Sequence, residues 1–398
     1  MNRFLQFLLV MGACLVSVSV AAAEWRGSFA VEFSQYLEDK LDNDQHGNYL
    51  SAVFIPEFYH AWDNNRQSLT VTPFYRWDEH DKQRSHADLR ELYWLYVADS
   101  YELSVGFRKV FWGTTESQHL VDIINQTDLV ENPDGEDKLG QPMIASSLLT
   151  GWGNLELYLL PYFRERTFPG ENGRLRTLPR VDTEDAALYQ DSNRDKHIDW
   201  AFRWSNTFQS WDVGLSYFSG TNREPKLVPT VNSHGEIILL PYYELMQQTG
   251  LDIQGAEGAW LWKLEAVYRD TRSTNYFAFT AGLEYTFVNL SDSGFDIGGI
   301  AEYLYDERGL NSTSPFDDDV MLGIRITTND LDATELLLGV IADRSSEARI
   351  YRLELNRRLT NHLKLNLDAM IFSGLPATDP YFSLRQDDHL KAELVYFF

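Results

Sequence analysis

The stretch that decides the fold is Leu390-Lys391-Ala392-Glu393-Leu394-Val395-Tyr396-Phe397-Phe398 at the C-terminus. Leu390, Ala392, Leu394, Tyr396 and Phe398 share one parity, and Lys391, Glu393, Val395 and Phe397 the other. Side chains two apart lie on one face of a strand, whereas a helix groups residues three and four apart. The same period runs outward along the chain. Leu363, Leu365, Leu367, Ala369 and Ile371 alternate with His362, Lys364, Asn366 and Asp368. Val320, Leu322, Ile324 and Ile326 alternate with Met321, Gly323, Arg325 and Thr327. Phe277 to Phe287, Trp262 to Tyr268 and Trp200 to Trp204 repeat it. Helical spacing is nearly absent, so the expectation is an all-β chain.

Such alternation suits a sandwich with an apolar core, or a transmembrane antiparallel up-and-down barrel whose apolar face meets lipid. Connector lengths decide between them. Short links at 63–65, 98–100, 151–153, 209–210, 256–258, 289–293, 328–330 and 359–361 interleave with mostly longer polar ones. The long set is 38–47, 79–85, 113–139, 167–194, 221–241, 309–316 and 373–387, with short members at 272–274 and 344–346. Tight turns on one side and loops on the other are the barrel's pattern. The segmentation gives about eighteen strands, or sixteen depending on how Glu236 to Gln254 divides. Trp25, Trp62, Trp77, Trp112, Trp152 and Trp260 fall near strand ends, where interfacial girdles lie. Pro73 and Pro161 read as bulges within strands.

Composition agrees with this reading. Among 398 residues there are 59 Asp plus Glu against 34 Lys plus Arg, a net charge of −25. That excludes a nucleic-acid binder, whose affinity comes from cations displacing counterions. Aromatics make up 14% although the mean hydropathy is −0.34. Cys14, the single cysteine, lies in the N-terminal apolar stretch, so no disulfide or Cys-ligated metal is expected. Met1-Asn2-Arg3, the apolar run Phe4 to Val20 and Ala21-Ala22-Ala23 have the pattern of an export signal cleaved before Glu24. Residues 24–398 then form a single barrel domain with 113–139 as an inserted loop.

The chain resembles bacterial outer-membrane β-barrels of the porin type over the whole mature length. Terminal Phe398, with Tyr396 and Leu394 at alternate positions, looks like the signal read by the barrel-assembly machinery. Arg108-Lys109-Val110-Phe111-Trp112-Gly113, followed by Asp122-Ile123-Ile124-Asn125 and Asp128-Leu129, is similar to a segment of poorly characterised proteobacterial porin-like proteins. The resemblance implies a water-filled barrel in the outer membrane, in contact with lipid and lipopolysaccharide, but no particular solute.

The polar faces place Arg108, Arg203, Lys263, Glu265, Arg325, Arg352, Glu354, Lys364, Asp368, Lys391 and Glu393 in the lumen. Opposite charges there can pair across neighbouring strands. In the loop 113–139, Glu116, Asp122, Asp128, Glu131, Asp134, Glu136 and Asp137 face one Lys138. Leu120, Ile123, Ile124 and Thr127 have the spacing of one short amphipathic helix, which could dock in the barrel and narrow it; the alternative is a solvated surface loop bound to divalent ions and lipopolysaccharide. Carboxylates at a narrow point favour cations. The function expected is passive passage of small hydrophilic neutral or cationic solutes, with no cofactor, metal or catalytic site. The runner-up is an export barrel passing a polymer or lipid for an inner-membrane partner. A hydrolase built on Asp387-Asp388-His389 or Asp317-Asp318-Asp319 stands third, since no enzyme motif accompanies them.

Overall fold

The computed structural model describes residues 23–183, 187–328, 330 and 332–398. The export-signal reading, Ala23 apart, lies outside the described residues. The first strands are β1 (Glu24–Tyr36), β2 (Asn48–Trp62), β3 (Gln67–Asp78), β4 (Ala87–Val97), β5 (Tyr101–Arg108), β6 (Gln141–Thr150) and β7 (Gly153–Leu160). Next come β8 (Leu188–Tyr189), β9 (Asp199–Phe208), β10 (Trp211–Thr221), β11 (Lys226–Val231), β12 (Ile237–Tyr243), β13 (Leu245–Glu257) and β14 (Trp260–Thr271). The last are β15 (Asn275–Phe287), β16 (Phe295–Asp306), β17 (Asp318–Thr328), β18 (Glu335–Asp343), β19 (Arg349–Arg358), β20 (Leu363–Ser373) and β21 (His389–Phe397).

Eighteen of these form one antiparallel sheet, with β8, β11 and β12 in a separate small sheet. The large sheet closes where β1 pairs with β21, from Ser28 opposite Phe397 to Tyr36 opposite His389. Closure removes the free strand edge, the condition for backbone groups to lie against hydrocarbon. No described helix is long and apolar enough to cross a membrane. The ambiguous region around Glu236 resolves into the β11–β12 hairpin, which stands outside the barrel wall, followed by wall strand β13.

The period-two faces separate as the sequence predicts. Along β1, Phe29, Val31 and Phe33 are more than 40% exposed on the outside, while Ala30, Glu32 and Ser34 are at most 6% exposed within. Leu390, Leu394, Tyr396 and Phe398 also face outward, and Val395 is buried inside. The β2–β3 turn uses Asp63, Asn64 and Asn65, all at positive φ. These are the residue types that tolerate that region without glycine. The register shifts between Thr72 and Pro73 on the β3–β4 pairing, so Pro73 does mark a bulge. Pro161 does not: β7 ends at Leu160, before the missing donor matters.

Candidate functional site: the inward segment and the lumen

Between β5 and β6 the chain leaves the wall and folds into the barrel. Asn125 staples the two stems of this excursion. Its Nδ2 donates to the Arg108 and Leu139 carbonyls at 2.9 and 2.8 Å, and its Oδ1 accepts from Val110 N–H at 2.8 Å. Val121, Ile123 and Ile124, each at most 2% exposed, pack with Trp112 on an apolar wall that includes Met143, Phe218 and Met246. Burying such a side chain stabilises by about 1.5–3 kcal/mol, so this stripe anchors the segment. Trp112 is therefore a core residue here rather than a girdle residue. Trp25, Trp77, Trp152 and Trp260 do face outward.

The segment has turns and bridges where the spacing of Leu120, Ile123, Ile124 and Thr127 suggested a helix. The reason is competition for its backbone groups. Glu265 accepts from Thr114, Thr115 and Val121 N–H at 2.7, 3.1 and 3.1 Å, and Glu302 from Glu116 and Ser117 N–H at 2.7 and 2.9 Å. Arg223 donates to the Ile123 and Ile124 carbonyls, and Arg269 to that of Leu120, each at 3.1 Å. The N–H groups of 114–117 precede the expected helix, but the Leu120, Ile123 and Ile124 carbonyls would close its turns and are held by distant arginines instead. Glu265→Ala is expected to leave these buried N–H groups without acceptors, at about 1–3 kcal/mol each. The measurable result is faster hydrogen exchange at Thr114, Thr115 and Val121, with exchange in β14 little changed.

The acidic residues of the segment are mostly paired with wall cations. Glu116 lies 2.7 Å from Arg325 and 3.4 Å from Lys263, Asp122 3.3 Å from Lys138, and Asp128 2.6 Å from Arg90. Glu131 meets Arg76 at 2.5 Å and Asp134 meets Arg352 at 2.6 Å, so the tip reaches β3 on one side and β19 on the other. Glu136 contacts His119 at 3.1 Å, and Asp137 is exposed. Burial would lower His119, but Glu136 and Glu265 outweigh it and hold the imidazole near a pKa of about 10, a cation at neutral pH. Burial would likewise raise Asp128; the neighbouring His86 and the ion pair with Arg90 bring it down to about 2. His86 Nε2 lies 3.8 Å from Asp128 and 3.9 Å from Glu131, a potential cation-binding trio. Arg90 and Arg76 already occupy those two carboxylates, so no metal is assigned there.

The expected lumen residues are distributed around the inner wall. Arg203 donates two hydrogen bonds to the Asp252 carboxylate at 2.6 and 2.8 Å, and its guanidinium covers the Trp112 ring. Lys263 is 3.9 Å from Glu284. Arg325 reaches Glu335 at 2.5 Å. Arg352 pairs with Glu354 at 2.5 Å and approaches Asp368 at 3.9 Å, which Lys391 approaches at 4.0 Å. Glu393 accepts from Asn366 at 2.7 Å. Arg108 lies over Tyr93 and donates to Ser104, and Lys364 stands opposite inward Val395. Glu265 alone among these is fully buried, because it holds backbone rather than facing the lumen.

Residues the sequence reading passed over complete the interior. Arg223, two residues after β10, spans the gap between Asp199, at 2.7 Å, and the inward segment. Arg174, in the connection after β7, is buried at the loop end. It meets Asp387 at 2.6 Å, while Leu175 N–H reaches the other Asp387 oxygen at 2.9 Å. Asp42–Arg176 at 2.8 Å and Gln45–Gly173 at 3.1 Å join the same cover. Asp387 is thus a latch, and Asp388 accepts from Phe372 N–H. The His389 ring bonds the Asp387 carbonyl, so the Asp–Asp–His run holds loops together. Asp319 accepts N–H bonds from Asp317 and Asp318. Glu32, between Arg76 and Arg84, was legible as an inward parity position of β1.

The tip of the segment, Glu131 to Asp137, borders a cavity of about 330 Å³ against β1–β3 and β19–β21. Its lining carries Glu32, Glu131, Asp137, Glu354, Asp368 and Glu393 against Arg76, Arg352 and Lys391. A second cavity, about 440 Å³, lies at the turn end between β4 and β7 and includes Asp99, Glu102, Arg108 and Glu156. A third, about 310 Å³, lies under the loop-end cover beside Asp88 and Arg164.

No family model and no curated protein matches the sequence. Among solved structures, a triple variant of Rhodopseudomonas blastica porin aligns over 95% of this chain and 100% of its own, at 10% identity and a TM-score of 0.47. A double variant of the same porin aligns with equal coverage at 12% identity and a TM-score of 0.47. A structure described as "Asymmetric conductivity of engineered proteins" gives 12% identity, the same coverage and a TM-score of 0.46.

Proposed function

We propose that the protein is an outer-membrane channel for passive diffusion of small hydrophilic neutral or cationic solutes. The observation that carries this is the cavity beside Glu131 to Asp137, where six carboxylates face three cations. Groups of one sign lining a constriction raise the local concentration of the opposite ion. The apolar exterior and charged interior suit lipid outside and water within. Cavities of a few hundred Å³ match small solutes better than a polymer in transit. On this reading the export signal directs the chain to the outer membrane. Outward Leu394, Tyr396 and Phe398 serve recognition by the assembly machinery, and the outer wall contacts lipid and lipopolysaccharide.

The test is the reversal potential of single channels in a potassium chloride gradient. A cation-selective value is expected; an anion-selective one would overturn the reading. Asp137→Asn with Glu393→Gln is expected to lower the cation-to-anion permeability ratio roughly twofold, because both carboxylates line the acidic cavity.

A further inference from the structure

Not all of the inner wall is polar. On the loop-end half of β17–β20, Met321, Ile341, Ile350, Met370 and Phe372 turn inward, and Leu337 joins them from nearer the turn end. The registers make them neighbours: Met321 stands opposite Ile341, Ile341 opposite Ile350, and Ile350 opposite Phe372. Gly323 faces Gly339 within this patch, leaving a depression where two strands carry no side chain. The Met321 methyl lies over it; a Cβ on Gly323 would come 2.9 Å from that methyl, and one on Gly339 3.4 Å. Met321 is flexible and can move aside.

A cavity of about 80 Å³ remains here, several times the roughly 10–15 Å³ that one water occupies. Tyr381 closes its loop side, meeting Phe316 and Phe372 edge-on at 6.3 and 6.2 Å. The other side is charged: Glu116, Asp134 and Glu354 line it against Arg352, and Arg325 and Lys263 engage Glu116 from behind. Arg352 and Glu354 also line the acidic 330 Å³ cavity, so the apolar pocket and the acidic cavity share a wall. Water gains nothing from apolar lining, and a hydrated inorganic cation gains nothing from a ring of aliphatic and aromatic side chains.

We propose that this pocket selects organic ammonium ions with a compact apolar body, the body entering over Gly323 and Gly339 and the ammonium staying among Glu116, Asp134 and Glu354. The proposal deepens the channel reading and rests on it for transport, though not for binding. Anionic amphiphiles find no free cation there among the described residues, since Arg352, Arg325 and Lys263 are each engaged by a carboxylate, and small alkylammonium ions lack the area to use the apolar wall. Met321 would act as an adjustable cover, and Arg352, already engaged by Asp134 and Glu354, would keep those two carboxylates in place.

The experiment compares benzylammonium, ethylammonium and benzoate as blockers of potassium current through the full-length barrel. Benzylammonium is expected to half-block at a concentration at least about tenfold below the other two, a factor equal to about 1.4 kcal/mol. Gly339→Val, which fills the depression, is expected to erase most of that difference, and so is Met321→Trp. Each variant's own potassium current is its reference, and heat-modifiable migration checks its folding. Equal half-block concentrations for benzylammonium and ethylammonium in the unmodified protein would overturn the proposal, as would potency unchanged in both variants. Calorimetry of benzylammonium with the detergent-solubilised protein separates the two claims. Binding without any current rejects the channel and keeps the pocket; current without discrimination and without heat rejects the pocket and keeps the channel.

Discussion

Replacing Glu116–Asp137 by a short flexible link is expected to raise single-channel conductance roughly threefold or more and to move the reversal potential toward that of chloride. The first effect follows from position. The segment reaches from the apolar wall around Met143 and Phe218 to Arg76 on β3 and Arg352 on β19, so it divides the lumen. The second follows from charge. Excision removes Glu116, Asp122, Asp128, Glu131, Asp134, Glu136 and Asp137, and frees Arg76, Arg90, Arg325 and Arg352 from those partners. A lumen that loses carboxylates and keeps arginines must become less favourable to cations. Stability should fall, since Val121, Ile123 and Ile124 each contribute about 1.5–3 kcal/mol of apolar burial. The barrel should nevertheless still close, because the β1–β21 pairing involves none of the excised residues. Planar-bilayer recordings read both effects. Unchanged conductance in a correctly folded variant would show that the segment does not set the pore.

What could be read from the sequence follows from where the determining interactions lie. A strand facing two media writes its parity into neighbouring residues, so Leu390 to Phe398 and Phe277 to Phe287 reveal their faces without any partner. Turns are local for the same reason: Asp63-Asn64-Asn65 can adopt positive φ within its own few residues. Pro73 disturbs the pairing at its own position. The inward segment was legible as acidic and partly apolar, which left an inserted and a surface loop equally open; its apolar stripe packed on the wall decides for the inserted one. Its conformation was not legible, because Arg223 and Arg269, which hold the Leu120, Ile123 and Ile124 carbonyls, lie far along the chain. Helical spacing describes what 118–129 would do alone; the arginines that hold its carbonyls decide what it does in place. Trp112 misled for a related reason: near a strand end a Trp suits a girdle, yet β5 stops at Arg108 and carries the chain inward beyond it.

Arg223 and Arg174 show the same limit more sharply. Each is an arginine in a polar connection, and such residues usually stay in water. Their burial depends on Asp199 and Asp387, which belong to other connections or strand starts. A charge cannot be assigned to the interior from its own neighbourhood when the compensating charge is distant in sequence. The apolar lumen patch was hidden differently. Met321 and, by extension of the 362–371 alternation, Met370 were inward by parity, but a polar lumen was expected, so their apolar character had no place in the pattern.

Arg174→Ala is expected to loosen the loop-end cover and convert a quiet current into one with frequent brief openings. Arg174 is buried, donates to Asp387 at 2.6 Å and covers the Tyr36 ring at 4.4 Å. Removing it leaves the Asp387 carboxylate enclosed with the Leu175 N–H but without its cation. Breaking a buried pair by deleting one partner costs about 3–5 kcal/mol, much of it the penalty of the orphaned charge. That penalty falls on the contact joining the connection after β7 to the one before β21, which is relieved if the two segments part. Parting also weakens Gln45–Gly173 and Asp42–Arg176, whose partners sit on the same connection as Arg174. The double variant Arg174→Ala/Asp387→Ala removes the orphaned carboxylate together with its partner. It should therefore recover more than half of the lost protection, read as hydrogen exchange at Gly173 and Leu175, and flicker less than the single variant. Equal damage in the single and double variants would assign the effect to lost packing on Tyr36. A quiet trace and native exchange in Arg174→Ala would show that the cover is held by other contacts, with Asp42–Arg176 the next pair to cut.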